Sequence, residues 1–202
     1  MTRHIIPLIL ATLLAACGGG GDASDPTQHK ASGPRTNLLV LGNSITRHGP
    51  LASIGWSGDW GMAASDQAHD YAHLVGATLD LPVEARNVST LEVHPDAPMP
   101  DVTVAPDTVV IVELGDNGLP AHYADLLALV KGGAALVCTS TYWPKPDFDA
   151  VTRPACEAAG GTYVTIGDIF TGPQGTWENP AVAGHPGDKE MAEIARRILK
   201  VL

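Results

Sequence analysis

From residue 37 onward, short apolar runs alternate with segments whose apolar positions recur every three or four residues. The runs at 37–41, 83–87, 108–114, 134–139 and 163–166 are largely apolar and bounded by turn-forming residues, the pattern of strands covered on both faces. Between them, 68–79 carries Ala68, Ala72, Val75 and Leu79 on one helical stripe, and 121–131 follows Pro120. The segment 148–159 precedes Gly160-Gly161, and 188–201 opens on Asp188, an acidic residue suited to cap a helix. Strand and helix in repeated alternation predict a five-stranded parallel sheet with helices on both faces, a three-layer α/β/α domain over 37–202. In such sheets functional residues collect beyond the carboxyl ends of the strands.

The first 36 residues do not share this pattern. Arg3 precedes a twelve-residue run from Ile5 to Ala16 in which Pro7 and Thr12 alone are not strongly apolar. A bilayer core needs about 20 residues, so the run reads as a cleaved export signal over 1–16 rather than a retained span. Leu14-Ala15-Ala16-Cys17 resembles a bacterial lipoprotein box, which implies cleavage before Cys17 and lipidation of its thiol; simple secretion is the alternative. Gly18 after the cysteine is not an aspartate, which in a Gram-negative cell favours the outer membrane. The segment 17–36 is Gly-, Ser-, Asp- and Pro-rich, and its nineteen residues beyond Cys17 form a flexible tether of roughly 24 Å r.m.s. reach.

Composition narrows the partners. The chain of 202 residues is 45% hydrophobic and 17% charged, enough apolar surface for one core. Twelve Lys and Arg against 22 Asp and Glu leave a formal charge of -10 with no basic run, which excludes nucleic acid as a partner.

Three short motifs fall where a parallel sheet would gather them. The first strand ends in Gly42-Asn43-Ser44-Ile45-Thr46, the third in Gly115-Asp116-Asn117, and Gly184-His185-Pro186 precedes the last helix. Singly these read as a turn, an Asx turn and a loop. Together they bring a hydroxyl nucleophile, an amide donor and a base to one sheet edge. A serine hydroxyl attacks at neutral pH only when a base removes its proton, and the resulting oxyanion needs preorganised donors.

The block Gly42-Asn43-Ser44-Ile45-Thr46 resembles the first block of the SGNH (GDSL) hydrolase superfamily, with Asn43 where aspartate is usual. The resemblance extends over 37–202 and implies a flavodoxin-like SGNH fold. It makes Ser44 the nucleophile, His185 the general base, and Asn117 with the Ser44 N–H the oxyanion donors. The chain departs from that pattern in three places. After the second strand it reads Asn87-Val88-Ser89-Thr90-Leu91-Glu92, with no glycine, so a backbone N–H of Ser89 or Thr90 would have to serve as donor. Gly118 follows Asn117 in place of aspartate, and Val182 stands where the triad acid belongs. Three groups are admissible to orient His185: Glu178, the nearest upstream carboxylate; Asp188, better explained as a cap; and a main-chain carbonyl at Nδ1.

The loop 54–65 holds Trp56 and Trp60 among glycines; the rings either stack on a sugar face or plug the end of the core. With Asn43, Ser89 and Thr90 they complete the candidates for substrate contact. His69 and His73 have ligand spacing on a helix, but the glutamate of the zinc-hydrolase motif is absent, and a polar helix face is the simpler account. Arg47, His48, His94 and His122 lie on loops, either lining the pocket or on ordinary surface. No cofactor or metal is expected. Once Cys17 is lipidated, Cys138 and Cys156 remain, free to form a bridge or, for Cys138, to fill a buried strand position. The expectation is a lipid-anchored serine esterase that removes acetyl or another short acyl group from a carbohydrate. Acyl transfer to an envelope glycan and non-catalytic glycan binding are the alternatives.

Overall fold

The computed structural model describes residues 34–172 and 177–202; the 1–16 leader, Cys17 and all but the end of the 17–36 tether lie outside the described residues. Strands β1 (Asn37–Gly42), β2 (Val83–Asn87), β3 (Thr108–Glu113), β4 (Ala135–Thr139) and β5 (Thr162–Val164) form one parallel sheet in the order β2-β1-β3-β4-β5. Among the described residues the helices are α1 (Tyr71–Leu79), α2 (Thr90–Val93), α3 (Tyr123–Val130), α4 (Pro146–Ala158), α5 (Pro180–Ala183) and α6 (Asp188–Leu199). No helix of the described residues is long and apolar enough to cross a membrane.

Alternate strand residues point to opposite faces, and each face has its own core. Leu38, Val40, Val109 and Ile111 meet Tyr71, Ala72 and Val75 of α1 and Met191, Ile194 and Ile198 of α6. Leu39, Leu41, Val110 and Val112 meet Leu126, Leu127 and Val130 of α3 and Leu91 of α2. The near-continuous apolar runs thus supply two layers at once, which is why they show no polar face.

Local chemistry moves several boundaries. β5 stops two residues short of Ile166 because the N–H groups of Ile166 and Gly167 turn to the Ser140 hydroxyl, at 2.8 and 3.1 Å, instead of continuing the ladder. The helix expected from Ala68 starts at Tyr71, since the buried Asp70 carboxylate accepts from His73 N at 2.8 Å and caps it. His69 therefore belongs to a separate 3-10 turn and pairs with Asp66 at 2.8 Å, while His73 pairs with Asp70, so the two imidazoles do not share a helix face. Among the described residues no group of three His, Cys, Asp or Glu side chains is placed to hold a metal ion. Asp188 is the first residue of α6 rather than its cap, a position held by Gly187, and its carboxylate accepts from Ser65 N at 2.7 Å.

Cys138 of β4 and Cys156 of α4 are buried and joined by a disulfide with Cα atoms 6.2 Å apart. The loop it closes, a separation of 18 residues, corresponds to about 3 kcal/mol in the chain-entropy account.

The chain runs outward from β1 to β2 and then returns to β3 on the other side of β1, so the strand order reverses between β1 and β3. A crevice opens beyond the carboxyl ends of two strands at such a point. In register, Gly42 of β1 lies opposite Asn87 of β2 and Glu113 of β3, which brings the segments after all three strands to one edge.

Candidate active site

Ser44 sits in the turn after β1. Asn43 Oδ1 accepts from Ile45 N at 2.9 Å, and the Asn43 carbonyl accepts from Thr46 N and Arg47 N at 3.1 and 3.0 Å, winding the chain tightly around residue 44. The turn closes so near its own strand that a Cβ on Gly42 would lie 2.0 Å from Thr46 Oγ1. Ser44 Oγ is left half-buried, 2.8 Å from His185 Nε2.

His185 follows α5, and its ring is held by neighbours rather than by an acid. The Trp143 ring packs edge-on against it at 5.1 Å with an interplanar angle of 85°, and Trp143 Nε1 donates to Gly184 O at 3.0 Å. Burial, reinforced by the nearby His48, holds the His185 imidazole down to about 4, against the pull of the Ala181 and Val182 carbonyls. The ring is therefore neutral at pH 7, with Nε2 able to accept the serine proton. Nδ1 is buried and has no partner of hydrogen-bond geometry among the described residues. Glu178, one expected candidate for that task, is exposed and does not reach Nδ1. Val182, at the position of the missing acid, is wholly buried in an apolar cluster with Trp56, Met62 and Ala63.

Asn117 is exposed beyond β3, and its Nδ2 donates to Glu92 Oε2 at 2.6 Å. Beyond β2, Ser89 N donates to Asn87 Oδ1 at 3.0 Å, so the N–H considered for an oxyanion is already engaged; Thr90 begins α2.

Beneath the nucleophile turn lie three buried carboxyl groups that the sequence reading did not single out: Glu92, Glu113 and Asp116. Asn43, fully buried, is enclosed by them rather than open to a substrate; its Nδ2 faces an oxygen of each at 3.3, 3.3 and 3.4 Å. Asn43 N and Thr46 Oγ1 donate to Glu113 Oε2 at 3.4 and 3.2 Å, and Trp143 N donates to Asp116 Oδ1 at 2.9 Å. Burial pushes Glu113 well above the ordinary carboxylate range, and the neighbouring Asp116 adds to this. Burial also raises Asp116 and Glu92. The signal in the sequence was Glu113 itself, an acid at the end of the otherwise apolar run 108–114.

The tryptophans divide. Trp56 is 1% exposed, packs on Trp60 and Trp177 at 5.6 and 5.3 Å and donates from Nε1 to His48 O at 2.8 Å, so it plugs the core and offers no face to a sugar. Trp60 is half-buried and lines a cavity of about 230 Å³ with Arg47, Asp59, Gln67 and His73, a recess that Ser44 and His185 do not line. Of the four loop residues, Arg47 is tied to Asp59 at 2.8 and 2.7 Å, His122 to Asp125 and Pro95 O, and His94 is exposed; His48 bears on the charge of His185.

No protein-family model and no curated protein matches the chain. Solved structures do. A protein described as a GDSL-like lipase from Bacteroides ovatus superposes with a TM-score of 0.53 at 13% identity, covering 83% of this chain and 98% of its own. A second such protein, from Bacteroides uniformis, gives 0.52 at 10% identity over 83% and 95%. A family two carbohydrate esterase from Clostridium thermocellum, solved in complex with cellohexaose, gives 0.50 at 14% identity over 84% and 66%. At these identities the likeness is one of fold. The chain shares the fold of the GDSL-like, or SGNH, hydrolases.

Proposed function

We propose that the chain is a serine esterase of SGNH type that removes acetyl or another short acyl group from a carbohydrate. The observation that carries this reading is the 2.8 Å approach of Ser44 Oγ to the neutral His185 Nε2 at the switch point of the sheet. Ser44 Oγ attacks the ester carbonyl as its proton passes to Nε2. Asn117 Nδ2 and the Ser44 N–H donate to the oxyanion, and its collapse expels the alcohol, which takes the proton from His185. Water then repeats the sequence on the acyl-serine and releases the acid. Trp143, packed edge-on, fixes the plane of the imidazole, one part of what a triad acid does by hydrogen bonding.

The substrate class is supported by the likeness in fold to the esterase seen with cellohexaose. Turnover of an acetylated oligosaccharide, measured against p-nitrophenyl acetate and a long-chain p-nitrophenyl ester, tests it. Preference for the short acyl group is expected, and failure to hydrolyse any of the three would remove the esterase reading.

The low basicity of His185 has a kinetic signature. A protonated His185 cannot accept the serine proton, so kcat/KM is lost as pH falls through the pKa of the free enzyme. With the imidazole held to about 4, the acid limb is expected near pH 4 rather than near the ordinary histidine value of about 6.5. A limb near the ordinary value would contradict the burial account.

The box ending in Cys17 and the tether behind it support a lipid anchor in the envelope, with the outer membrane of a Gram-negative cell as its place. The Cys138–Cys156 disulfide suits an oxidising compartment of that kind. Cys17→Ser is expected to move the protein from the membrane fraction to a soluble or unprocessed form. Lack of incorporation of a palmitate analogue into the wild type would remove the anchor.

A further inference from the structure

We infer that Glu92 is a positioning residue for the oxyanion site: its carboxyl group holds one N–H of the Asn117 carboxamide and the Gly115 N–H, and thereby aims the second Asn117 N–H at the reacting oxygen. The inference rests on the esterase reading of the same site.

An exposed asparagine on a loop presents its oxygen or its nitrogen to a given point with little preference, and an oxygen there would repel an oxyanion. Here Glu92 Oε2 accepts from Asn117 Nδ2 at 2.6 Å, so the nitrogen is held on the Glu92 side and the oxygen is turned away from it. The other oxygen, Oε1, accepts from Gly115 N at 2.5 Å and from Asn43 Nδ2 at 3.3 Å. One carboxyl group thus grips the loop at residue 115, where the chain leaves β3 with φ of +124°, and again at the functional side chain. It ties both to Asn43, the residue before the nucleophile.

The backbone of α2 makes the grip possible. Ala121 N donates to Leu91 O at 3.3 Å, and the Asn117 loop runs so close to α2 that a Cβ on Gly118 would lie 2.2 Å from Glu92 O. Aspartate, the residue the superfamily resemblance leads one to expect after Asn117, does not fit at 118. The glycine at 118 and the acid at 92 are two parts of one arrangement, in which a helix after β2 reaches across and supports the loop after β3. Glu92 does not touch the reacting atoms in this account and acts through Asn117.

The test is a double-mutant cycle on ester hydrolysis in the full chain. Glu92→Gln keeps the size of the side chain but turns a donor towards Asn117 or Gly115. It is expected to lower kcat by roughly 10²-fold, the scale of one lost oxyanion donor, with KM within about twofold. In the Asn117→Ala background the same change is expected to have no further effect on kcat. An equal loss in both backgrounds, or a loss confined to KM, would overturn the inference and leave the esterase reading standing. Absence of turnover in the wild type would overturn both. Should Glu92→Gln not fold, Glu92→Asp replaces it in the same cycle. The side-chain amide resonances of Asn117 in the wild type give a reading independent of activity. One of its two amide protons is expected to be protected from exchange, and a freely exchanging pair would overturn the inference.

Discussion

Ser44→Ala is expected to lower kcat for p-nitrophenyl acetate by on the order of 10⁵-fold, while the melting temperature stays within a few degrees of wild type. The loss is large because removing the proposed nucleophile would abolish the acyl-enzyme route and leave only oxyanion stabilisation and binding. The fold is spared because the Ser44 hydroxyl is half-buried and hydrogen-bonds His185, so its deletion forfeits about 1 kcal/mol. For a domain of this size that corresponds to about 2–4 °C. His185→Ala should be no worse than Ser44→Ala, and the double mutant no worse than either, since members of one catalytic unit do not add.

Asn43→Asp, which restores the residue usual in the superfamily's first block, is expected to destabilise the protein by about 3 kcal/mol or more at neutral pH. Asn43 Nδ2 is the donor that faces Glu92, Glu113 and Asp116 together, and an aspartate there would put a fourth carboxyl group among three that burial already raises. The pH dependence follows from the direction of those shifts. A carboxyl group raised in the folded state binds its proton more tightly there than in the unfolded chain. Its contribution is therefore complete below the ordinary carboxylate range and is lost as pH rises through the folded value. The wild type should lose stability as pH rises above that range, and Asn43→Asp should lose more. Melting curves of both proteins at pH 5 and pH 8 check this. The deficit of the variant should be greater at pH 8, and an equal deficit at both would show that charge is not its cause.

How much of this was legible in the sequence follows from the range of the interactions. The sheet and its four longer helices were, because Leu38 to Leu41, the apolar run of β3 and the stripe of α6 declare themselves within a few residues. Helices α2 and α5, four residues each, are too short to carry a helical period. Ser44 and His185 could be paired from the order of their motifs along a parallel sheet, although 141 residues separate them. The carboxyl cluster could not. Each of its members is locally unremarkable, and Asn43 meets Glu92, Glu113 and Asp116 across 49, 70 and 73 residues. Trp56 and Trp60 lie in one glycine-rich loop with nothing local to tell a core plug from an exposed ring. The Trp177 and Val182 contacts that bury Trp56 come from the far end of the chain.

In the proposed mechanism Ser44, activated by His185, forms a covalent acyl intermediate. A fluorophosphonate, which is attacked by an activated serine and stays bound to it, addresses that step without assuming a substrate. Stoichiometric labelling of the wild type is expected, mapped by mass spectrometry to Ser44 and lost in His185→Ala. Labelling at another residue, or none in the folded wild-type protein, would contradict it.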